Sequence, residues 1–306
     1  MRFGRVLPSS LAALSFAFAA SAFAGVPEGR TAAFTALELD GSFVGYVDAV
    51  TIATPDTTFL VDKQGLSKDI AGLHAAEITF EVGADMGKPM YDWIKASMAS
   101  GGGGARKDGA IIYADFNYKE LSRLEFTNAL LTEVAFPALD SASHDPAKMT
   151  VTLRPEGSSR TFPRGKNTLS ERKQKAWLCS NFRIELGRFQ LQDGASGGSP
   201  PLMRNPTYEP SALQTASVIF NPRDYTLFAD WQNALYCSGL PPESSESSCT
   251  FTYLDPDGAT LFTVTYPSAG LVKLTANVDD SGSPVSYTAQ LYVTGEPTFD
   301  ASVPAP

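Results

Sequence analysis

From residue 34 onward, apolar and polar positions alternate in short runs that end at Gly, Pro, Asp or Ser. Phe34 to Leu39 alternates and stops at Asp40-Gly41. Ile78 to Val82, Ala110 to Asp115 and Leu121 to Ala129 follow the same rule, and Met149, Val151 and Leu153 alternate with Thr150, Thr152 and Arg154. A period of two puts one residue set on one face, so these runs predict half-buried antiparallel strands. Val134 to Leu139 carries Pro137, which confines that position to an edge or a bend. One stretch breaks the pattern: Met90, Trp93, Ile94 and Met98 recur at helical spacing and predict a short amphipathic helix. After it come four glycines, Gly101, Gly102, Gly103 and Gly104, which permit almost any backbone path. Arg106, Lys107, Asp108 and Gly109 then read as a charged turn, with Gly109 supplying a permissive φ.

The same order recurs downstream. Phe182 to Leu186 falls beside the opening strand, with Ile184-Glu185-Leu186 matching Leu37-Glu38-Leu39. Val218 to Phe220 is a strand, and Leu227, Trp231, Ala234 and Leu235 have helical spacing. Asp92-Trp93 and Asp230-Trp231 are the same dipeptide in the same place. A Pro/Ser-rich loop, Pro241 to Ser248, and a strand from Cys249 to Asp255 follow. From Asp115 the copies align without a gap at an offset of 140 residues, with Asp115/Asp255, Ala129/Ala269 and Leu131/Leu271 among the identical pairs. Such a repeat predicts one supersecondary unit used twice. The expected layout is a first β-domain over residues 25–157, a basic linker over 158–176, a second β-domain over 177–300 and a flexible tail over 301–306. Asp193 to Pro210, rich in Gly, Ser and Pro, predicts a surface loop of the second copy.

The segment from Trp93 through Arg106-Lys107-Asp108-Gly109, Phe126-Thr127-Asn128-Ala129 and Pro137-Ala138-Leu139-Asp140 to the strand Met149–Leu153 resembles the tail tube proteins of contractile phages and their type VI secretion and injection-system relatives. The resemblance covers about 75 residues of the first copy and is a bare pattern in the second, where Trp231 is kept but Ser268 stands at the place of Asn128. It implies a mainly β fold of two tandem antiparallel β-barrel or sandwich domains, each with one short packed helix. It also implies a structural role without catalysis. Family subunits form hexameric rings that stack into tubes, so a chain with two units would complete a six-domain ring as a trimer. The implied structural positions are Trp93, Asn128, Pro137, Asp140 and Trp231. The loop Gly101–Gly104 with Arg106, Lys107 and Asp108 is the implied contact between rings. A secreted or periplasmic binding module that reuses the barrel without polymerising is the alternative.

Composition changes this picture in three ways. Arg2 and Arg5, the apolar run Leu11 to Ala20 and Ala22-Phe23-Ala24 form a signal-peptide pattern, which predicts Sec export with cleavage after Ala24 and a periplasmic or extracellular protein. Loss of those two arginines takes the formal charge from −9 to −11, which disfavours nucleic-acid and anionic membrane surfaces. That charge suits contacts with other proteins, and the resemblance implies that the partners are other copies of itself, or other tail or envelope proteins. Three cysteines allow one disulfide; Cys237 and Cys249 bracket a short loop and are the easiest pair, with Cys179 joined to either as the alternative.

Candidate chemistry is thin. Ser143-His144-Asp145 has triad letters, but a triad is defined in space, and adjacent residues usually mark a turn. His74, the other histidine, reads as a surface or packing residue. Asp255, Asp257 and Gly258 predict a hairpin turn; a calcium loop would need further acidic positions and a closing Glu. The four glycines lack the Gly-Lys-Ser/Thr ending of a phosphate cradle. No catalytic, metal or cofactor site is predicted.

Overall fold

The computed structural model describes residues 32–301 except 54–55, 62–67, 75, 85, 100–104, 163–168, 170–176, 188–195, 205–212 and 238–244. The expected signal peptide, Gly101–Gly104 and most of the linker therefore lie outside the described residues. In the first half the elements are β1 (Phe34–Leu39), β2 (Ser42–Ala53), β3 (Asp56–Val61), β4 (Lys68–His74), β5 (Glu77–Val82), α1 (Lys88–Met98), β6 (Arg106–Ala114), β7 (Glu120–Ala135), β8 (Leu139–Asp140), β9 (Met149–Arg154) and β10 (Gly157–Thr161). The second half comprises β11 (Phe182–Leu186), β12 (Gly197–Ser199), β13 (Met203–Arg204), β14 (Gln214–Phe220), α2 (Tyr225–Cys237), β15 (Ser247–Leu254), β16 (Thr260–Val278), β17 (Pro284–Thr294) and β18 (Thr298–Ala301).

The first sheet closes on itself. Its order is β7-β6-β1-β2-β5-β9, and β9 pairs back onto β7. All pairings are antiparallel, and β10 continues along the edge of β7. A closed barrel has no exposed edge over the paired length, which is one solution to the edge-strand problem. Inward positions of β5, β7 and β9 alternate with half-exposed ones: Ile78, Phe80 and Val82, Leu124 and Phe126, Met149, Val151 and Leu153 are all buried.

The second sheet repeats that strand order as β11-β15-β16-β17-β14-β12, with β18 on β16 as β10 is on β7, although no β11–β12 pair matching β1–β2 closes it among the described residues. Registers agree where the chains correspond: Ile111 faces Leu124 in β6–β7, and Phe251 faces Val264, each 140 positions on, in β15–β16. The turns agree too. Asp115 Oδ1 accepts the amides of Asn117 and Lys119, and Asp255 Oδ1 accepts those of Asp257 and Ala259 at 2.9 and 2.8 Å. Gly258 has φ +83° where Tyr118 has φ +58°. Asp255 thus ties its own turn, as the hairpin reading expects.

Several features differ from the sequence expectations; β10, for one, occupies the start of the expected linker. The segment 193–210 is not simply a loop: it holds β12 and β13, with Gly197, Gly198 and Met203 buried. Gly198 is there because a Cβ would come within 2.6 Å of the Ser217 carbonyl oxygen. Ala301, the first residue of the expected flexible tail, is also held in place, since it ends β18, which pairs with β16.

The two barrels belong to one compact unit that begins at Ala32, with a continuous core. Each lends the other a strand. β8 of the first half pairs with β12 in the second sheet, and β13 of the second half pairs with β7 in the first. Between them lies an aromatic seam: Phe262 packs against Tyr91, Phe136, Trp177, Tyr253 and Phe299, with ring centroids 4.5 to 6.2 Å apart.

Candidate assembly interface

The residues singled out by the resemblance fall into three places. Trp93 is buried, and its indole Nε1 donates to the Ala105 carbonyl. Trp231 does the same in the second copy, donating to the Ser245 carbonyl at 2.8 Å. Each tryptophan fastens its helix to the residue leading into the next strand. A buried indole N–H needs such a partner, which explains why the same dipeptide recurs.

The second place is one end of the first barrel. Arg106, Lys107 and Asp108 are not a turn but the start of β6, and the pairing of β6 with β7 is shifted by a bulge between Lys107 and Gly109. Opposite it, Asn128 takes φ +49°, a left-handed conformation that Asn tolerates better than most residues. Its amide donates to Asp108 Oδ1 at 2.7 Å, and its carbonyl accepts from Arg106 Nη1 at 2.9 Å. Arg106 also pairs with Glu156 at 3.1 Å, and Lys107 with Asp40. The motif is thus a charged knot across a bulge. Gly109 has no positive φ; a Cβ there would sit 2.3 Å from the Glu38 carbonyl oxygen. In the second copy Glu246 and Ser268 stand at the places of Arg106 and Asn128 and contact each other, while Tyr292 OH donates to Glu246 Oε1 at 2.8 Å.

The third place is the seam. Pro137 ends the excursion from β7, and Asp140 follows in β8, where its Oδ1 accepts the Ala142 amide at 2.9 Å. The seam joins unlike surfaces. Helix α1 of the first copy lies on β16 and β18 of the second: Tyr91 meets Phe262 and Phe299, and Lys95 Nζ meets Asp300 Oδ1 at 2.6 Å. A junction between two different faces is head-to-tail. It leaves the matching faces, α2 of the second copy and β7 with β10 of the first, on the outside. Those faces lack the seam's aromatic anchors and expose Asn233 and Arg160, while Ser122 is itself nearly buried. Ala229, Gln232 and Asn233 stand where α1 has Tyr91, Ile94 and Lys95, and Ser122 and Arg160 stand where the second copy has Phe262 and Phe299. Arg160 covers Tyr113, its guanidinium 5.3 Å from the ring centroid.

The remaining candidates do not assemble. His144 is exposed, and Ser143 Oγ donates to Asp145 Oδ2 at 3.2 Å within the same loop. His74 ends β4, and its side chain lies outside the described residues. The Cys237–Cys249 bridge is not formed: Cys249 is a free, fully buried thiol pushed up to about 12 by desolvation. Cys179 is also free, and burial, with Asp145 and Asp140 nearby, raises its pKa. Among the described residues no group of three or more His, Cys, Asp or Glu side chains could hold a metal ion, and no helix is long and apolar enough to cross a membrane.

No protein-family model matches the chain, and no curated protein matches it. Solved structures do. The chain is similar to a protein of the sheath–tube complex of an extracellular contractile injection system, PVC, in its extended state: 21% identity, TM-score 0.34, covering 45% of this chain and 95% of that one. It is similar to the tube-terminating cap of the anti-feeding prophage, at 22% identity and TM-score 0.34, over 48% of this chain and 99% of the other. It is also similar to Hcp1 from Flavobacterium johnsoniae, at 20% identity and TM-score 0.30, over 42% of this chain and 96% of that one.

Proposed function

We propose that this is a non-catalytic structural protein that assembles with copies of itself into rings or tubes, exported through the Sec pathway. The observation that carries the reading is the head-to-tail seam between the two barrels. A junction of unlike faces leaves one of each face free at the ends, and repetition gives a closed ring or an open filament. Three chains would close a ring of six barrels. The tail-tube resemblance of residues 93–153 supports the same reading.

The lack of aromatic anchors on the outer faces favours a second reading, a secreted binding module that keeps the barrel pair but does not polymerise. Native mass spectrometry and negative-stain imaging of the purified protein across a hundredfold concentration range separate the two. The first reading expects a fixed multiple of the chain mass and annular particles; a single chain at every concentration overturns it.

A further inference from the structure

Inside the chain, the two barrels are clipped by two short strands besides the aromatic seam. β13 pairs with the edge of β7 at Glu133 and Val134, just beyond the end of β6. β8 pairs with β12, the strand that occupies the place of β2 in the second sheet. If the seam is repeated between chains, each clip needs a counterpart.

Both counterparts are present and enlarged. The equivalent of Glu133–Val134 is Lys273–Leu274 in β16, beyond the end of β15; from Lys273 to Val278 the edge of β16 that faces away from β17 carries no strand among the described residues. The segment equivalent to β13, lying between the second strand and the strand before the helix, is the β3–β4 hairpin in the first copy. That hairpin is a separate two-stranded sheet, bonded to itself and to no other strand among the described residues. The equivalent of β8 lies at Asp279–Asp280, the tip of the β16–β17 hairpin, where pairing runs out to Val278 and Pro284. Its receiving strand is β2, whose outer end, from Thr51 to Ala53, pairs with β5 on one side only among the described residues.

Resting on the reading above, we infer that the partner of the second barrel is the first barrel of another copy of this chain, joined by strand addition. The β3–β4 hairpin of one chain adds to the open edge of β16 in its neighbour, and the neighbour's β16–β17 hairpin adds to the outer end of β2. An unpaired edge offers a row of backbone donors and acceptors that a neighbouring strand satisfies. The exchange of lengths has a physical reason. The in-chain junction is tethered and apolar, so two-residue strands suffice. The junction between chains has neither aromatic anchors nor a tether, and its clips are a full hairpin and a 19-residue strand.

The test uses two variants of the full chain. One replaces residues 56–74 with a short Gly-Ser link; the other replaces residues 277–286 with Asn-Gly, keeping Tyr287, which stacks on Phe220. Each removes one side of a head-to-tail junction. Each alone should be a single chain by native mass spectrometry while keeping the circular dichroism of the parent. Mixed in equal amounts, they retain one intact side each and should form a 1:1 pair and nothing larger. Variants that assemble like the parent overturn the strand addition and leave ring assembly standing. A parent that is itself a single chain overturns ring assembly and this inference with it. Well-folded variants that fail to pair on mixing overturn the strand addition.

Discussion

Replacing Phe262 with alanine tests whether the two barrels are one cooperative unit. Phe262 is completely buried and touches rings from both copies: Tyr91 and Phe136 from the first, Tyr253 and Phe299 from the second, and Trp177 from the connection. A buried Phe→Ala change costs about 3–5 kcal/mol, the transfer term plus the cavity left behind. The seam is walled by rigid rings, which collapse poorly into a void, so the upper half of that range applies. For a chain of this size each kcal/mol lowers the melting point by roughly 2–4 °C, giving a fall of roughly 8–20 °C. The decisive assay is native-state hydrogen exchange followed peptide by peptide. The most protected amides of β6–β7 lie in the barrel that does not own Phe262. If the seam couples the barrels, their global opening rises with that of β15–β16, on the order of a thousandfold, since 1.4 kcal/mol is tenfold. Unchanged protection in β6–β7 beside weakened β15–β16 would refute the coupling.

Other predictions follow from single contacts. Arg123 holds Glu38 through two bonds of 2.9 and 3.0 Å and Glu120 at 2.7 Å; desolvation opposes its charge, but the bonds from Glu38 and Glu120 outweigh it and raise its pKa. Arg123→Met should lose about 2–3 kcal/mol in urea titrations, because the Glu120 carboxylate is left buried, the loss being trimmed by partial exposure. Lys88→Met, which breaks an exposed pair with Asp92, should stay within about 0.5 kcal/mol. Gly109→Ala should cost about 1–3 kcal/mol by thermal melt, since the obstacles are the Glu38 backbone and the buried Phe126 ring, neither of which moves freely. The Cys249 thiol keeps its proton in the fold up to about pH 12 but releases it near 9 when unfolded, so the folded state binds more protons in that window. Its contribution is therefore complete below pH 9 and is lost as pH rises toward 12. Cys249→Ala should flatten the fall in stability over that range, though not abolish it, because buried Tyr253 and Tyr266 are raised in the same direction. Ellman's reagent should label Cys179 in the native protein and Cys249 only on unfolding.

The repeat was legible because its signals are periodic and local. Alternation located β1, β5, β6, β7 and β9, helical spacing located α1, and the shared Asp-Trp dipeptide located α2. The charged motif was visible as letters but not as geometry: Arg106 to Asp108 look like a turn and act as a strand with a bulge, because Asn128, twenty positions away, supplies the left-handed residue. Strand β2 was missed since its outer half, exposed from Thr51 to Ala53, shows no alternation. β12 and β13 hid inside a glycine- and proline-rich stretch. Gly197 and Gly198 allow a close approach of backbones there, and a glycine needed for contact looks the same in sequence as one in a loop. Cys237 and Cys249 are near in sequence, yet the Cys249 side chain points into the second barrel among Tyr266 and its neighbours, a direction that spacing does not reveal.

The swapped clips also set a timetable for synthesis. When β8 and the far edge of β7 leave the ribosome, their partners β12 and β13 lie some 60–70 residues behind them. At ordinary elongation speeds that gap lasts roughly 3–14 s. During it the first barrel can close through β9, but one strand edge stays bare beside the hydrophobic wall that will later meet Phe262. A chaperone that shields nascent chains has its most obvious client in that interval, and stalling translation near residue 190 should yield a barrel that sticks to its own kind.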